Sequence, residues 1–329
     1  MTQRTVRYGI IGFGRFAERA IAPAIRRTRN SAVVGLQKRS AEAARKKADE
    51  CSIPLAFGSV DELVQHPDID AVFIVSANSA HCPETLAAAK AGKHVIVEKP
   101  MALSAREAEL MIGACAESGV KLMVGHMVRL SPLVRRVREL IVAGRIGSVK
   151  AAKAEFIYDA RISHRTWLID RAVAGGGPVY DVGVHCIDTL RYLLDAEPSA
   201  VTGTLWPAPT AEATEESALI AMQFPDGVMA SVFCSYTAPF RRVMLEVIGT
   251  EGIITVPDFT SGDQLGRLTL TRGKGDRTAG ATAEEITVGN LYVEECTMFT
   301  EWILGGPEPE INGANGLLNQ KILDRALTL

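Results

Sequence analysis

The sequence predicts an α/β protein: an N-terminal doubly wound parallel sheet, followed by an α+β domain with a large, mostly antiparallel open sheet. Three observations carry this. Through about residue 125, short β-branched runs alternate with amphipathic helical stretches, the pattern of parallel strands with helices on both faces. Beyond Val149, strands follow one another with a single strong helical stretch among them. A chain of 329 residues, 47% apolar, is long enough to bury two cores.

In the first half the expected strands are Val6 to Ile11, Val33 to Gln37, Ala71 to Val75, His94 to Glu98 and Lys121 to Gly125. Helical periodicity covers Phe16 to Ile25, Ala41 to Glu50, Asp61 to Gln65, Pro83 to Ala91 and Ala105 to Ser118, with Ser40 and Ser104 as N-caps and Gly92 and Gly119 as terminators. A helix from Pro132 to Ala143 follows. The second half offers strands at Val149 to Ile157, Ala200 to Leu205, Ala218 to Phe224, Val228 to Ser235, Met244 to Gly249, Gly252 to Val256 and Arg267 to Thr271. Its helix is expected over Val179 to Leu194. Pro225 to Gly227 and Gly249 to Gly252 read as hairpin turns, and Pro207 to Glu215 and Gly273 to Glu284 as polar loops. Helices over Val293 to Leu304 and Gly316 to Leu327 complete the chain. The change of pattern divides it into domains 1–125 and 126–329.

Composition narrows function by exclusion. Charge is nearly balanced, 36 basic against 38 acidic residues, so nothing argues for nucleic acid or an anionic membrane as partner. The arginines at 135, 136 and 138 and the basic run Arg45 to Lys47 read as solvated helix faces. Six scattered cysteines without a C-x-x-C pair point to neither a zinc site nor a disulfide framework, and no metal is expected. No apolar run reaches the length of a membrane span, and no signal segment precedes the first strand; a cytoplasmic location is expected.

Gly12, Gly14 and Ala17 form G-x-G-x-x-A after the first strand, where helix-terminal N–H groups receive a pyrophosphate; this is a Rossmann dinucleotide site, with Phe13, Arg15 and Phe16 in the same turn. The second strand ends in Gln37, Lys38, Arg39 and Ser40, with no acidic residue before Glu42. Two cations and a hydroxyl suit the 2′-phosphate of NADP, whereas NAD would call for an acid on the ribose. NADP is therefore the expected cofactor, NAD the less favoured one.

Two further segments carry chemistry. Gly175 to Gly177 precede Asp181 and His185 in GGGPVYDVGVHCID, setting a carboxylate and an imidazole one helical turn apart. The triple glycine would let the backbone approach a neighbouring group closely, as a ligand requires; the i,i+4 pair reads equally as a local helix hydrogen bond. Glu98, Lys99 and Pro100 leave the fifth strand at the carboxyl edge of the sheet, where open α/β sheets bind ligands, and the Lys99–Pro100 bond is a candidate for the cis form.

Together with VSANSAH (Val75 to His81), AGKHVIVEKPMAL (Ala91 to Leu103) and GHMVRLSP (Gly125 to Pro132), these motifs resemble the Gfo/Idh/MocA group, that of glucose-fructose oxidoreductase and inositol dehydrogenase. The segments span most of the chain in the group's order. The resemblance implies a nicotinamide-dependent oxidoreductase acting on a sugar, cyclic polyol or similar small molecule, with Lys99, Asp181 and His185 as catalytic residues. It also implies a second domain that binds substrate and forms a homodimer or homotetramer through its open sheet. One branch of the same group hydrolyses glycosides with transiently used NAD, and a sensor that keeps the cofactor fold without chemistry is a third reading.

The chemistry follows from the residues as well. His185 suits proton transfer at neutral pH, Asp181 would orient it or hold a substrate hydroxyl, and Lys99 would stabilise alkoxide charge. Ser76, Asn78 and His81 after the fourth strand, with Glu98 and Lys99, are expected along the cofactor. His126 and Arg129 are candidates for substrate contact or for packing between domains. Trp167, near Arg161, His164 and Arg165, is a candidate wall of a sugar pocket or a core residue. His66 and His94 read as structural.

Overall fold

A computed structural model describes residues 4–160, 165–274 and 277–328. The chain forms two compact units, Met1–Met127 with Tyr292–Gln320, and Val128–Leu291 with Lys321–Leu329.

The first unit is built on β1 (Val6–Ile11), β2 (Ser31–Gln37), β3 (Leu55–Phe57), β4 (Ala71–Ile74), β5 (His94–Val97) and β6 (Leu122–Val124). They pair in the order β3-β2-β1-β4-β5-β6, all parallel. Continuous apolar runs such as the wholly buried β4 suit strands covered on both faces. β3 was not among the expected strands; three residues without β-branching give no periodicity to read. The connecting helices are α1 (Ala22–Arg27), α2 (Ala41–Cys51), α3 (Val60–Gln65), α4 (Asn78–Lys90) and α5 (Ala105–Glu117), with a π-helical turn, Ala17–Ile21, leading into α1. Ser40 and Ser104 cap α2 and α5 by accepting the N–H of Ala43 and Glu107. α4 begins at Asn78, ahead of the Pro83 start expected for it, because its first turn forms before the proline. Strand order reverses between β1 and β4, so the loops leaving these two strands part at the carboxyl edge.

The second unit opens with α6 (Pro132–Val142) and β7 (Val149–Asp159), then α7 (Arg171–Ala174) and α8 (Val184–Leu194). Its remaining strands are β8 (Ala200–Trp206), β9 (Ser217–Gln223), β10 (Met229–Ser235), β11 (Thr237–Gly249), β12 (Gly252–Pro257), β13 (Gln264–Lys274) and β14 (Arg277–Val288). The order is β14-β13-β12-β11-β7-β10-β9-β8, antiparallel except between β7 and β10. β14 replaces most of the polar loop expected from Gly273 to Glu284. Residues 278–283 are exposed on both faces, so the backbone ladder with β13 holds them and no apolar alternation marks them as a strand.

One face of this sheet packs under α8, burying Ala154, Ile220, Val232, Leu245 and Ile254. On the other face the register aligns Leu219, Phe233, Glu155, Met244 and Pro257 in one row, and Met229, Ala151, Ile248 and Ile253 in another. Leu219, Met229 and Phe233 are each 41–51% exposed there. An ion pair, Lys153 to Glu246 at 3.2 Å, lies among these rows.

The chain returns to the first unit through α9 (Leu291–Ile303) and α10 (Gly313–Ala326). Three contacts orient α9 along the parallel sheet. Tyr292 meets Phe16 edge-on at 5.4 Å beyond the carboxyl end of β1. Phe299 and Thr300 meet Tyr8 within β1, the hydroxyl pair at 2.7 Å. Trp302 lies against Lys121, just before β6. α9 therefore runs opposite to the strands and delivers its first turn to the carboxyl edge.

Candidate active site

In the first unit, Gly12 holds φ +77°, and a Cβ there would lie 2.7 Å from the Ser76 backbone, so the turn after β1 accepts only glycine. Gln37 braces it: its side-chain oxygen accepts the Gly12 N–H at 3.1 Å, and its backbone oxygen the Phe13 N–H at 3.0 Å. Phe13 is buried, while Gly14, Arg15 and Phe16 face outward. At the end of β2, Lys38 reaches back to donate to the Phe13 carbonyl at 2.7 Å, Arg39 is exposed, and the Ser40 hydroxyl caps α2. A glycine turn open to the surface at the strand-order reversal, flanked by exposed Arg15 and Arg39, fits a dinucleotide.

The turn after β4 holds Ser76, whose hydroxyl donates to Glu84 at 2.5 Å; burial raises that carboxyl to about 7. Asn78 is buried at the start of α4. His81 is fully buried, with Nδ1 2.9 Å from the Pro100 oxygen and Nε2 3.2 Å from the Ser76 oxygen. The Lys99–Pro100 bond is cis. Lys99 is half-buried, and its N–H donates to its neighbour Glu98 at 3.2 Å. His126 is buried, its Nε2 3.0 Å from the Asn319 amide nitrogen. His94 accepts the Lys121 N–H and is structural.

In the second unit the expected helix over Val179 to Leu194 is not uniform. It opens with a π-helical turn, Val179–Gly183, that carries Asp181, and passes into α8, which carries His185. Every residue from Val179 to Leu193 is buried. The triple glycine upstream serves this packing: a Cβ on Gly177 would lie 2.0 Å from the Glu215 carbonyl oxygen, and one on Gly176 would lie 2.7 Å from the Tyr180 ring. The close approach the glycines permit is thus to the chain itself. Glu215, the last residue of an expected polar loop, is buried and accepts the Val179 N–H at 3.1 Å, capping the π turn.

Asp181 is held on both oxygens. Arg165 binds it with two nitrogens, each at 2.9 Å, and the Tyr158 hydroxyl donates to it at 2.7 Å. Burial, and next the Asp181 charge, push the Tyr158 phenol up, so it stays protonated and donates. His185 stacks on Phe156 at 6.5 Å. Arg129 donates to both oxygens of Asp188 at 3.0 and 2.9 Å and lies over the Tyr192 ring, a buried ion pair inside this unit. Trp167 is half-buried in the 3₁₀ turn Thr166–Ile169. Arg161 and His164 lie outside the described residues.

Sequence reasoning missed Tyr158, Glu215, Tyr292 and Glu295. Tyr158 lies one residue beyond the expected limit of its strand, and α9 comes to the first unit from the far end of the chain. Glu295 is fully buried, and neither carboxyl oxygen has a hydrogen-bond partner among the described residues. Burial, and then the charge of nearby Glu98, hold its carboxyl well above the ordinary range. A raised carboxyl favours folding at low pH, and that contribution fades as pH climbs from the ordinary carboxylate range toward the raised value. Glu295→Gln, which cannot ionise, is expected to lose less melting temperature between pH 5 and pH 8 than the parent protein. Equal losses in a thermal-unfolding series would contradict this.

Comparison with known proteins agrees with the geometry. Residues 6–126 match the oxidoreductase family with an NAD-binding Rossmann fold, and residues 134–255 the GFO/IDH/MocA C-terminal domain. The 1,5-anhydro-D-fructose reductase of Ensifer adhaerens is 33% identical over 312 residues, 94% of this chain and 92% of that one. The NADP(+) D-xylose 1-dehydrogenase of Haloarcula marismortui is 28% identical over 327 residues, 97% of this chain and 89% of its own. The crystal structure of aldose-aldose oxidoreductase from Caulobacter crescentus, complexed with glycerol, superposes with a TM-score of 0.84 at 28% identity, covering 98% and 96% of the two chains. With both halves matched in order, and a glycine turn fit for a dinucleotide, the chain belongs to the Gfo/Idh/MocA family and is an NAD(P)-dependent oxidoreductase.

Proposed function

We propose that the protein transfers a hydride between NADP(H) and a secondary alcohol or ketone of a sugar, a cyclic polyol or a related small molecule. The observation that carries the reading is His185, an imidazole on a wholly buried helix, following a carboxylate, Asp181, whose charge Arg165 and Tyr158 already meet. The bound nicotinamide supplies or takes the hydride. In the oxidation direction His185 accepts the hydroxyl proton, and in reduction it returns it. Lys99 places an ammonium at the oxygen and stabilises developing alkoxide charge. Asp181, fixed by its two partners, orients the proton-transfer group or a neighbouring substrate hydroxyl. Trp167 offers an aromatic face to ring C–H groups, with His126 and Arg129 completing the substrate side.

The cofactor is received by Gly12, Phe13, Gly14, Arg15 and Phe16, by Ser76 and Asn78 at the next strand end, and by Glu98 and Lys99. Lys38, Arg39 and Ser40 take the 2′-phosphate. The relatives' names support a sugar substrate, and one of them names NADP(+). Among the described residues no helix is long and apolar enough to cross a membrane. All six cysteines are free thiols, which suits the cytoplasm proposed as its location. The exposed rows of the eight-stranded sheet favour a homodimer or homotetramer through that face.

The test is nicotinamide absorbance with 1,5-anhydro-D-fructose, D-xylose and other aldoses, ketoses and inositols, run in both directions. Net turnover of free cofactor separates this reading from glycoside hydrolysis and from a sensor. His185→Ala is expected to lower turnover by about 10² to 10⁴ with cofactor binding intact; unchanged turnover removes His185 from the reaction. Arg39→Ala should weaken NADPH binding by about 1.5–3 kcal/mol and leave NADH nearly untouched, whereas equal weakening refutes the phosphate assignment. Phe233→Glu should shift the sedimentation coefficient to that of a monomer, and an unchanged value would rule out this face as the interface.

A further inference from the structure

β4 and β5 are parallel neighbours, and their last ladder partners are Ile74 and Val97. Beyond them the two chains leave the sheet in separate turns. One turn carries Ser76, whose backbone packs against Gly12 so closely that no Cβ fits between them. The other carries Lys99 and the cis peptide to Pro100. A single side chain lies between them: His81, in the first turn of α4, has Nδ1 2.9 Å from the Pro100 oxygen and Nε2 3.2 Å from the Ser76 oxygen. One turn further along α4, Glu84 holds the Ser76 hydroxyl. α4 thus holds the Ser76 turn through Glu84 and the lysine turn through His81.

Both partners of the imidazole are carbonyl oxygens, which only accept. Burial, opposed by the two backbone contacts, holds the His81 ring at about 4, so at neutral pH it carries one N–H. The shorter contact assigns that hydrogen to Nδ1, which donates to Pro100. With both ring nitrogens turned to backbone and 1% of its surface exposed, His81 has the surroundings of a strut.

We propose that His81 is a positioning residue that fixes Lys99 relative to the dinucleotide turn, and that its action runs through the Pro100 carbonyl rather than through contact with the dinucleotide. The inference rests on the reading that Lys99 serves the reaction. A small displacement of a catalytic group lowers turnover by about 10²-fold while leaving binding intact.

The experiment measures NADPH affinity by fluorescence titration, and kcat and KM with the fastest sugar among 1,5-anhydro-D-fructose, D-xylose and D-glucose. It uses His81→Ala, His81→Asn, His81→Gln, Lys99→Ala and the double variant His81→Ala/Lys99→Ala. The Asn amide nitrogen stands where Nδ1 does, and the Gln nitrogen nearer Nε2. His81→Ala is expected to keep NADPH affinity within about threefold and to lose about 10²-fold in kcat. His81→Asn should recover most of the loss, His81→Gln little of it. In the Lys99→Ala background, removal of His81 should cost little more, because the lysine it places is gone. If His81→Ala does not fold, the Asn and Gln variants carry the comparison. Weakened NADPH binding with kcat unchanged, equal behaviour of Asn and Gln, or multiplicative losses in the double variant each overturn the proposal. Wild-type turnover by Lys99→Ala instead overturns the catalytic reading of Lys99, and the proposal falls with it.

Discussion

Burial of every residue from Val179 to Leu193 is the constraint on which the second unit's chemistry depends. A helix that meets no solvent cannot leave a charge unmatched, since an isolated buried charge is too costly to keep. Each ionised group on it therefore has an assigned counter-charge: Asp181 has Arg165, Asp188 has Arg129, and Arg191 has Glu197. The glycines at 176 and 177 admit the segment to this position by leaving room for the Tyr180 ring and the Glu215 carbonyl. The result is a carboxylate and an imidazole whose surroundings are set by packing.

The first unit meets a different constraint. Parallel strands end together at one edge, and the turns beyond them lose the ladder that aligned them. Side chains replace it: Gln37 secures the glycine turn, Glu84 secures Ser76, His81 secures Pro100, and Glu98 receives the Lys99 N–H. α9 adds Tyr292 and Glu295 to the same edge from the distal end of the chain. An acid without a donor beside a second acid is a local penalty that surrounding packing must offset.

Much of this was legible because it is local. G-x-G-x-x-A after a β-branched run, serine caps on α2 and α5, and the alternating pattern through residue 125 each depend on a few neighbouring residues, and each stands in the structure as read. The Pro225–Gly227 turn is equally local. What failed did so for stated physical reasons. Residues 278–283 of β14 have no buried face, so their side chains do not alternate. The expected uniform helix at 179 contains a π turn, because the fit of Gly183 against Cys234 and the Pro178 carbonyl depends on a strand some fifty residues away.

Sequence by itself determined the class of fold, the dinucleotide turn, and the residue types able to move a proton or steady an oxygen anion, since these follow from periodicity and from side-chain chemistry. Tertiary structure alone decided the partners. Arg165 and Tyr158 come to Asp181, Arg129 goes to Asp188, and His81 turns both ring nitrogens to backbone carbonyls. Such pairings satisfy buried polar groups across long sequence separations, and no local pattern records which group will be nearest when the core closes.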